Sequence, residues 1–256
     1  MKHVDASPTY FRMGIAERIA EQYPLEQRKH LRFIVTLCDP TQRLEDVFAY
    51  YKTLRVRGEP IEELYTSSYN TYADWLRAVL YEFPLESKAG GVLAGGGTPS
   101  QRQKGLFDEL QQSTYDEVLR EYTNFFNPNQ FLVLPAAYYE HDREGAVREV
   151  AAFVGAKATQ MADTSRTKEV DGTTVHATNA TTDPVVMGEV TAEMRNATSA
   201  LLRPHMTGLR YLHCAGREGG GGWGTGEGIK LGAWSGDAEA RKKYWNFMPG
   251  EALRDC

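Results

Sequence analysis

"HLRFIVTLCDPTQRLEDVFAYYKTLR", residues 30–55, reads as an apolar strand that turns through a polar corner into a helix. "RFIVTL" (32–37) is β-branched and aromatic and has the length of a strand. Asp39 stands where a helix N-cap belongs, Pro40 suits the first helical position, and Gln42 follows at capping-box spacing. Beyond them Leu44, Val47, Phe48, Tyr51 and Leu54 recur at helical intervals, which predicts one buried stripe. In α/β proteins ligands gather at the carboxyl ends of strands. The corner 39–43 is therefore either an anion-binding site or only a well-formed helix start.

Elsewhere the same alternation returns. "FLVL" (131–134) predicts a second buried strand, entered through the turn "NPNQ". Helices are expected over 8–23, over 60–83 with a break near Ser67 and Ser68, and over 106–126. "REGAVREVAAFVG" (143–155) predicts an amphipathic helix that Gly155 closes in the C′ position, with Asp142 as its cap. Further helices are expected over 189–202 and 237–247, separated by the glycine-rich 216–228. Short apolar strands alternating with helices indicate an α/β fold, with a parallel sheet covered on both faces. Two strands do not make a stable sheet, so whatever pairs with them is weakly signalled or absent.

The 256 residues suit one α/β domain with an irregular extension, and 41% hydrophobic residues supply a core. A net charge of −5 and a pI near 5.8 argue against a nucleic-acid binder, which carries a basic surplus. No apolar run reaches the length of a membrane span, and the opening "MKHVDASPTYF" lacks a signal-peptide core. Cys38, Cys214 and Cys256 form neither a zinc motif nor a disulfide framework, although one bridge can be made from them. The six histidines show no metal-binding spacing, so no metal is expected. "NAT" occurs at Asn179 and Asn196; these are glycan acceptors if the chain enters a secretory lumen, and such triplets also arise by chance. Tyr138, Tyr139, Glu140 and His141 follow the second strand, but the adjacent pair His141–Asp142 does not make a dyad. The aromatic face of 60–83 could stack on sugar rings, but at helical spacing core packing is the better reading.

Four stretches, in order, resemble the sulfotransferase family, closest to the Golgi branch that modifies heparan-type polysaccharides. "SPTYF" (7–11) is similar to the family's "EKSPxYF", and "FIVTLCDPTQRLEDVFAYY" (33–51) to its "ivvLRdPvxRayShY". "STYDEVLREYTNFFNPNQFLVL" (113–134) follows "GxYxxxLxxWxxxFpxxQxLvl", and "REGAVREVAAFVGA" (143–156) follows "dPxxxlxxvxxFLGl". The resemblance implies a P-loop-type three-layer fold that transfers a sulfuryl group from 3′-phosphoadenylyl sulfate (PAPS) to a carbohydrate hydroxyl or amine. Such a transfer has a loose, charge-spread transition state, stabilised by oriented cations and amides.

Several family residues are replaced. The phosphosulfate loop "PKxGTT" is absent, as is the upstream region that carries the proposed base, so no catalytic residue is assigned. Asp5-Ala6 stands in place of Glu-Lys. In the 3′-phosphate corner the first arginine falls on Cys38, the second on Arg43, and the phosphate-binding serine on Asp46, which is placed to pair with Arg43 one turn away. "GTGEG" replaces the "KGR"-like closing loop, where Arg217 and Lys230 are the nearby cations; Cys214 matches the loop's first cysteine. The expected cofactor-binding residues are thus Arg43, Asp46, Arg217 and Lys230, with PAPS binding impaired. Residues 1–156 are expected to form an N-terminally incomplete sulfotransferase-like core, and 157–256 a C-terminal extension of the same domain. The resemblance implies the Golgi lumen, on an anchor upstream of this chain. A non-catalytic sulfotransferase-like binding protein is the alternative.

Overall fold

The structure, a computed structural model, describes residues 10–56, 69–78, 80, 108–156, 188–215, 228–234 and 238–253. Its sheet has three parallel strands in the order β1-β2-β3: β1 (Phe33–Leu37), β2 (Phe131–Pro135) and β3 (Lys230–Leu231). Phe33 is in register with Phe131 and Leu37 with Pro135, while Leu132 pairs with Lys230. The two strands expected from the sequence therefore lie side by side. All five residues of β2 are buried, as an unbroken apolar run requires. In β1, by contrast, Ile34 and Thr36 are exposed, Ile34 at 43%. Both faces of the sheet are covered at β2 but not at β1, which is an edge strand among the described residues.

Gln130 ties the entries of these strands together. Its amide donates to Arg28 O at 2.6 Å and Leu31 O at 2.8 Å, while its own carbonyl accepts from Asn127 N at 2.8 Å. Pro128–Gln130 forms a 3₁₀ turn with a capping box on Asn127. Phe33 stacks on Phe131 with centroids 4.8 Å apart, and the edges of Phe126 and Tyr122 close around them.

β3 is a strand that the sequence did not lead one to expect. It has only two residues, so hydrogen bonds from elsewhere hold it. Gly232 N donates to Val133 O at 2.7 Å, Trp245 Nε1 to Gly232 O at 2.9 Å, and Ala233 N to Glu149 Oε2 at 3.1 Å. Ala233 sits at φ +55°, a left-handed conformation that the Glu149 bond helps to fix.

The helices are α1 (Ile15–Gln22), α2 (Leu25–Arg28), α3 (Pro40–Val56), α4 (Tyr72–Arg77), α5 (Tyr115–Thr123), α6 (Ala136–His141), α7 (Arg143–Val154), α8 (Ala192–Cys214) and α9 (Ala238–Tyr244). Several match the sequence expectation. α3 begins at Pro40, and α7 is capped by Asp142, which accepts from Gly145 N at 2.9 Å, and closed by Gly155 at φ +65°. Others differ. α1 starts late because Gly14, at φ +77°, holds a left-handed turn before it. Of the helix expected over 60–83 with a break near Ser67 and Ser68, the structure describes α4 from Tyr72, where the Thr71 hydroxyl caps it by accepting from Asp74 N; residues 60–68 lie outside the described residues.

The single helix expected over 106–126 is interrupted at 112–114. Ser113 Oγ donates to Glu109 O at 3.2 Å, offering the backbone a side-chain partner in place of a continued helix. α8, in turn, is longer than expected and continues through Pro204. Proline removes one helical hydrogen bond, but Met206, Leu209 and Leu212 beyond it are buried and keep the helix going.

The chain divides into two compact units: Met1–Asp39 with Thr114–Thr173 and Arg203–Cys256, and Pro40–Ser113 with Thr174–Leu202. Each has its own core. The first packs the sheet against Val118, Leu119, Tyr122, Leu209 and Trp245; the second gathers Leu44, Phe48, Tyr72, Trp75 and Leu202. The aromatic residues of α4 are thus core, with Phe48 and Tyr72 in edge contact at 5.7 Å.

Candidate functional site

Arg43 lies in the first turn of α3, the position that sequence reasoning assigns to an anion. Its terminal nitrogens are fully used. Nη1 donates to Glu109 O at 3.1 Å and Ser113 Oγ at 3.0 Å; Nη2 donates to Glu109 Oε2 at 3.0 Å and Gln112 Oε1 at 2.9 Å. Tyr51 OH supplies the other Glu109 oxygen at 3.1 Å. The Glu109 side chain is only 3% exposed and that of Arg43 18%. A buried carboxylate of this kind needs its cation to offset desolvation.

The expected Arg43–Asp46 pair is therefore corrected. Glu109, brought in from a distant segment, takes the guanidinium, while Asp46 Oδ1 accepts from Gln42 Nε2 at 3.1 Å. Burial raises the pKa of Asp46, and the Gln42 hydrogen bond offsets part of that rise. A phosphate at Arg43 would have to compete with an ion pair already made.

Lys230 is on β3 in the other unit, exposed, with its ammonium 5.7 Å from the Phe153 ring centroid. Arg217 lies outside the described residues, as do the glycine runs 90–97 and 219–222 and most of "SPTYF". Of the latter, Phe11 packs 6.1 Å from Tyr115, and Tyr10 O accepts from the Tyr122 hydroxyl. At the carboxyl end of β1, Tyr115 OH donates to Cys38 O at 3.2 Å. That carbonyl is already satisfied by protein.

No protein-family model, no curated protein and no solved structure matches this chain.

One polar arrangement was not visible in the sequence. His205 Nδ1, in α8, lies 2.8 Å from Asp116 Oδ1, in α5, and 3.7 Å from Glu117 Oε1. Asp116 Oδ2 is also paired with Arg120 at 3.3 Å. Burial works against charge on the imidazole. The hydrogen bond and negative charge of Asp116, with that of Glu117, outweigh it against Arg120, so the His205 pKa is raised. The geometry holds an imidazole by a buried carboxylate and leaves Nε2 outside these contacts. In the structure Asp116 is one of two acids in the first turn of α5, and nothing local in the sequence points to a residue 89 positions away. Among the described residues, no group of three or more His, Cys, Asp or Glu could hold a metal ion, and no helix is long and apolar enough to cross a membrane.

Proposed function

We propose that this chain is a degenerate sulfotransferase-family protein of P-loop-type fold, which transfers a sulfuryl group from PAPS to a carbohydrate hydroxyl or amine and works in the Golgi lumen. What supports it is the parallel pairing of 33–37 with 131–135, the two strands that the resemblance names, with α3 following β1 through Asp39 and Pro40. The ordered likeness of four sequence stretches adds to it.

The fit to PAPS is poor at the residues described. Arg43 is committed to Glu109, and Asp46 presents a carboxylate to the phosphate position. No transfer step follows from these residues. The Arg43–Glu109 pair favours a second reading, a sulfotransferase-like protein that binds a carbohydrate without catalysis.

Thermal unfolding with adenosine 3′,5′-bisphosphate tests the first reading. A ligand at 100 times its dissociation constant stabilises by about 2.7 kcal/mol, and the expected shift is smaller, and lost in Arg43→Gln. A large shift that survives Arg43→Gln would remove Arg43 from the site. If the nucleotide gives no shift but a heparan-type polysaccharide does, the second reading stands.

A further inference from the structure

We propose that Asn196 is an N-glycan acceptor and that this chain matures in a secretory lumen. The inference does not rest on the sulfotransferase reading. Two independent observations carry it: an exposed Asn196 heading the triplet Asn196-Ala197-Thr198, and a disulfide at Cys214.

Asn196 sits in α8 on a stripe with Glu193, Ser199, Ala200 and Arg203, all exposed. The opposite stripe, Met194, Thr198 and Leu202, is buried. A bulky hydrophilic glycan on Asn196 would project into solvent and displace no core side chain. Thr198 differs from its neighbour in the triplet. It is 0% exposed, and its hydroxyl donates to Met194 O at 2.8 Å. A transferase that must read this hydroxyl can reach it only before α8 folds, which is the situation of a chain being translocated during synthesis.

Cys214, at the end of the same helix, is disulfide-bonded. Disulfides persist in oxidising compartments and are rare where thiols are kept reduced. The bridge therefore points to the compartment in which sequons are modified.

The co-reactant is a polyprenyl-diphosphate oligosaccharide. Asn196 Nδ2 forms a bond to the anomeric carbon of its first sugar, the bond from that carbon to the diphosphate oxygen breaks, and polyprenyl diphosphate leaves. The amide proton lost from Nδ2 passes to a base of the transferase. No electrons are exchanged.

The test is to express the full chain behind a cleavable leader in a eukaryotic secretory host, in an Asn179→Gln background that removes the other triplet. We expect a glycosidase-sensitive mobility shift in both the cell-retained and secreted pools, with Asn196 converted to aspartate on glycan removal, as read by peptide mass. Asn196→Gln should abolish the shift, and Thr198→Ser should keep it. Unmodified Asn196 in both pools overturns the site. The compartment is read separately, by comparing deglycosylated protein with chain made in a reducing cytosol. The luminal form should unfold at a higher temperature, and Cys214→Ala should erase that difference; equal stability overturns the luminal assignment.

Discussion

His205 Nδ1 and Asp116 Oδ1 stand 2.8 Å apart, joining α8 to α5 through a carboxylate whose side chain is only 7% exposed. Because the His205 pKa is raised in the folded state, the protonated imidazole favours folding. This contribution is complete below the unfolded value near 6.5 and is lost as the pH rises through the raised folded value. Urea unfolding across this range should show stability falling with pH. Asp116→Asn should remove that slope and cost about 1.5–3 kcal/mol at pH 6, the worth of a hydrogen bond to a charged group. An unchanged slope in the variant would assign the dependence to other groups.

Gly208 guards the same pair. A Cβ there would lie 2.1 Å from Asp116 Oδ2, well inside contact distance. Gly208→Ala should cost about 1–3 kcal/mol by overpacking, and should flatten the pH slope as Asp116→Asn does. Nuclear magnetic resonance titration of His205 reads the second effect directly, as a return of its pKa toward the ordinary value.

Removing Arg43 leaves Glu109 buried without its cation. Arg43→Ala should therefore destabilise by about 3–5 kcal/mol, measured by denaturant midpoint at constant slope. The double variant Arg43→Leu, Glu109→Leu should cost less than Arg43→Ala, since no charge is then stranded. A loss below about 0.5 kcal/mol, typical of an ordinary surface site, would mean the pair is solvated and Arg43 is free to bind anions.

Asp46→Asn should stabilise the protein at neutral pH. Burial raises the Asp46 pKa above 3.8, so the folded state prefers the protonated form and is penalised once the group ionises. The gain should disappear as the pH falls below the unfolded value, and the amide keeps an acceptor for Gln42. A destabilised variant at neutral pH would show that the carboxylate has a partner worth more than its desolvation.

Gln130→Ala should loosen the strand entries. It strips the carbonyls of Arg28 and Leu31 and the amide of Asn127 of their partner, at a cost of about 1–3 kcal/mol. Amide exchange should quicken at Phe33 and Phe131 before it does in α7. Uniform exchange throughout would place the register elsewhere.

What sequence alone determined is local. "RFIVTL" and "FLVL" are apolar runs of strand length, Pro40 starts a helix, Asp142 caps one and Gly155 ends it, because each of these choices is made by backbone sterics and by neighbours within a turn. Thr114 with Glu117 three residues on was a helix-start signal as well, at the interruption where one long helix had been expected. Tertiary structure decided the rest. β3 is two residues long and exists through Val133, Trp245 and Glu149; Arg43 faces Glu109 rather than Asp46; His205 meets Asp116 across 89 positions. The physical reason is the same in each case. A charge or a short strand takes its partner from whatever the packed core brings within hydrogen-bond reach, and sequence spacing does not encode that proximity.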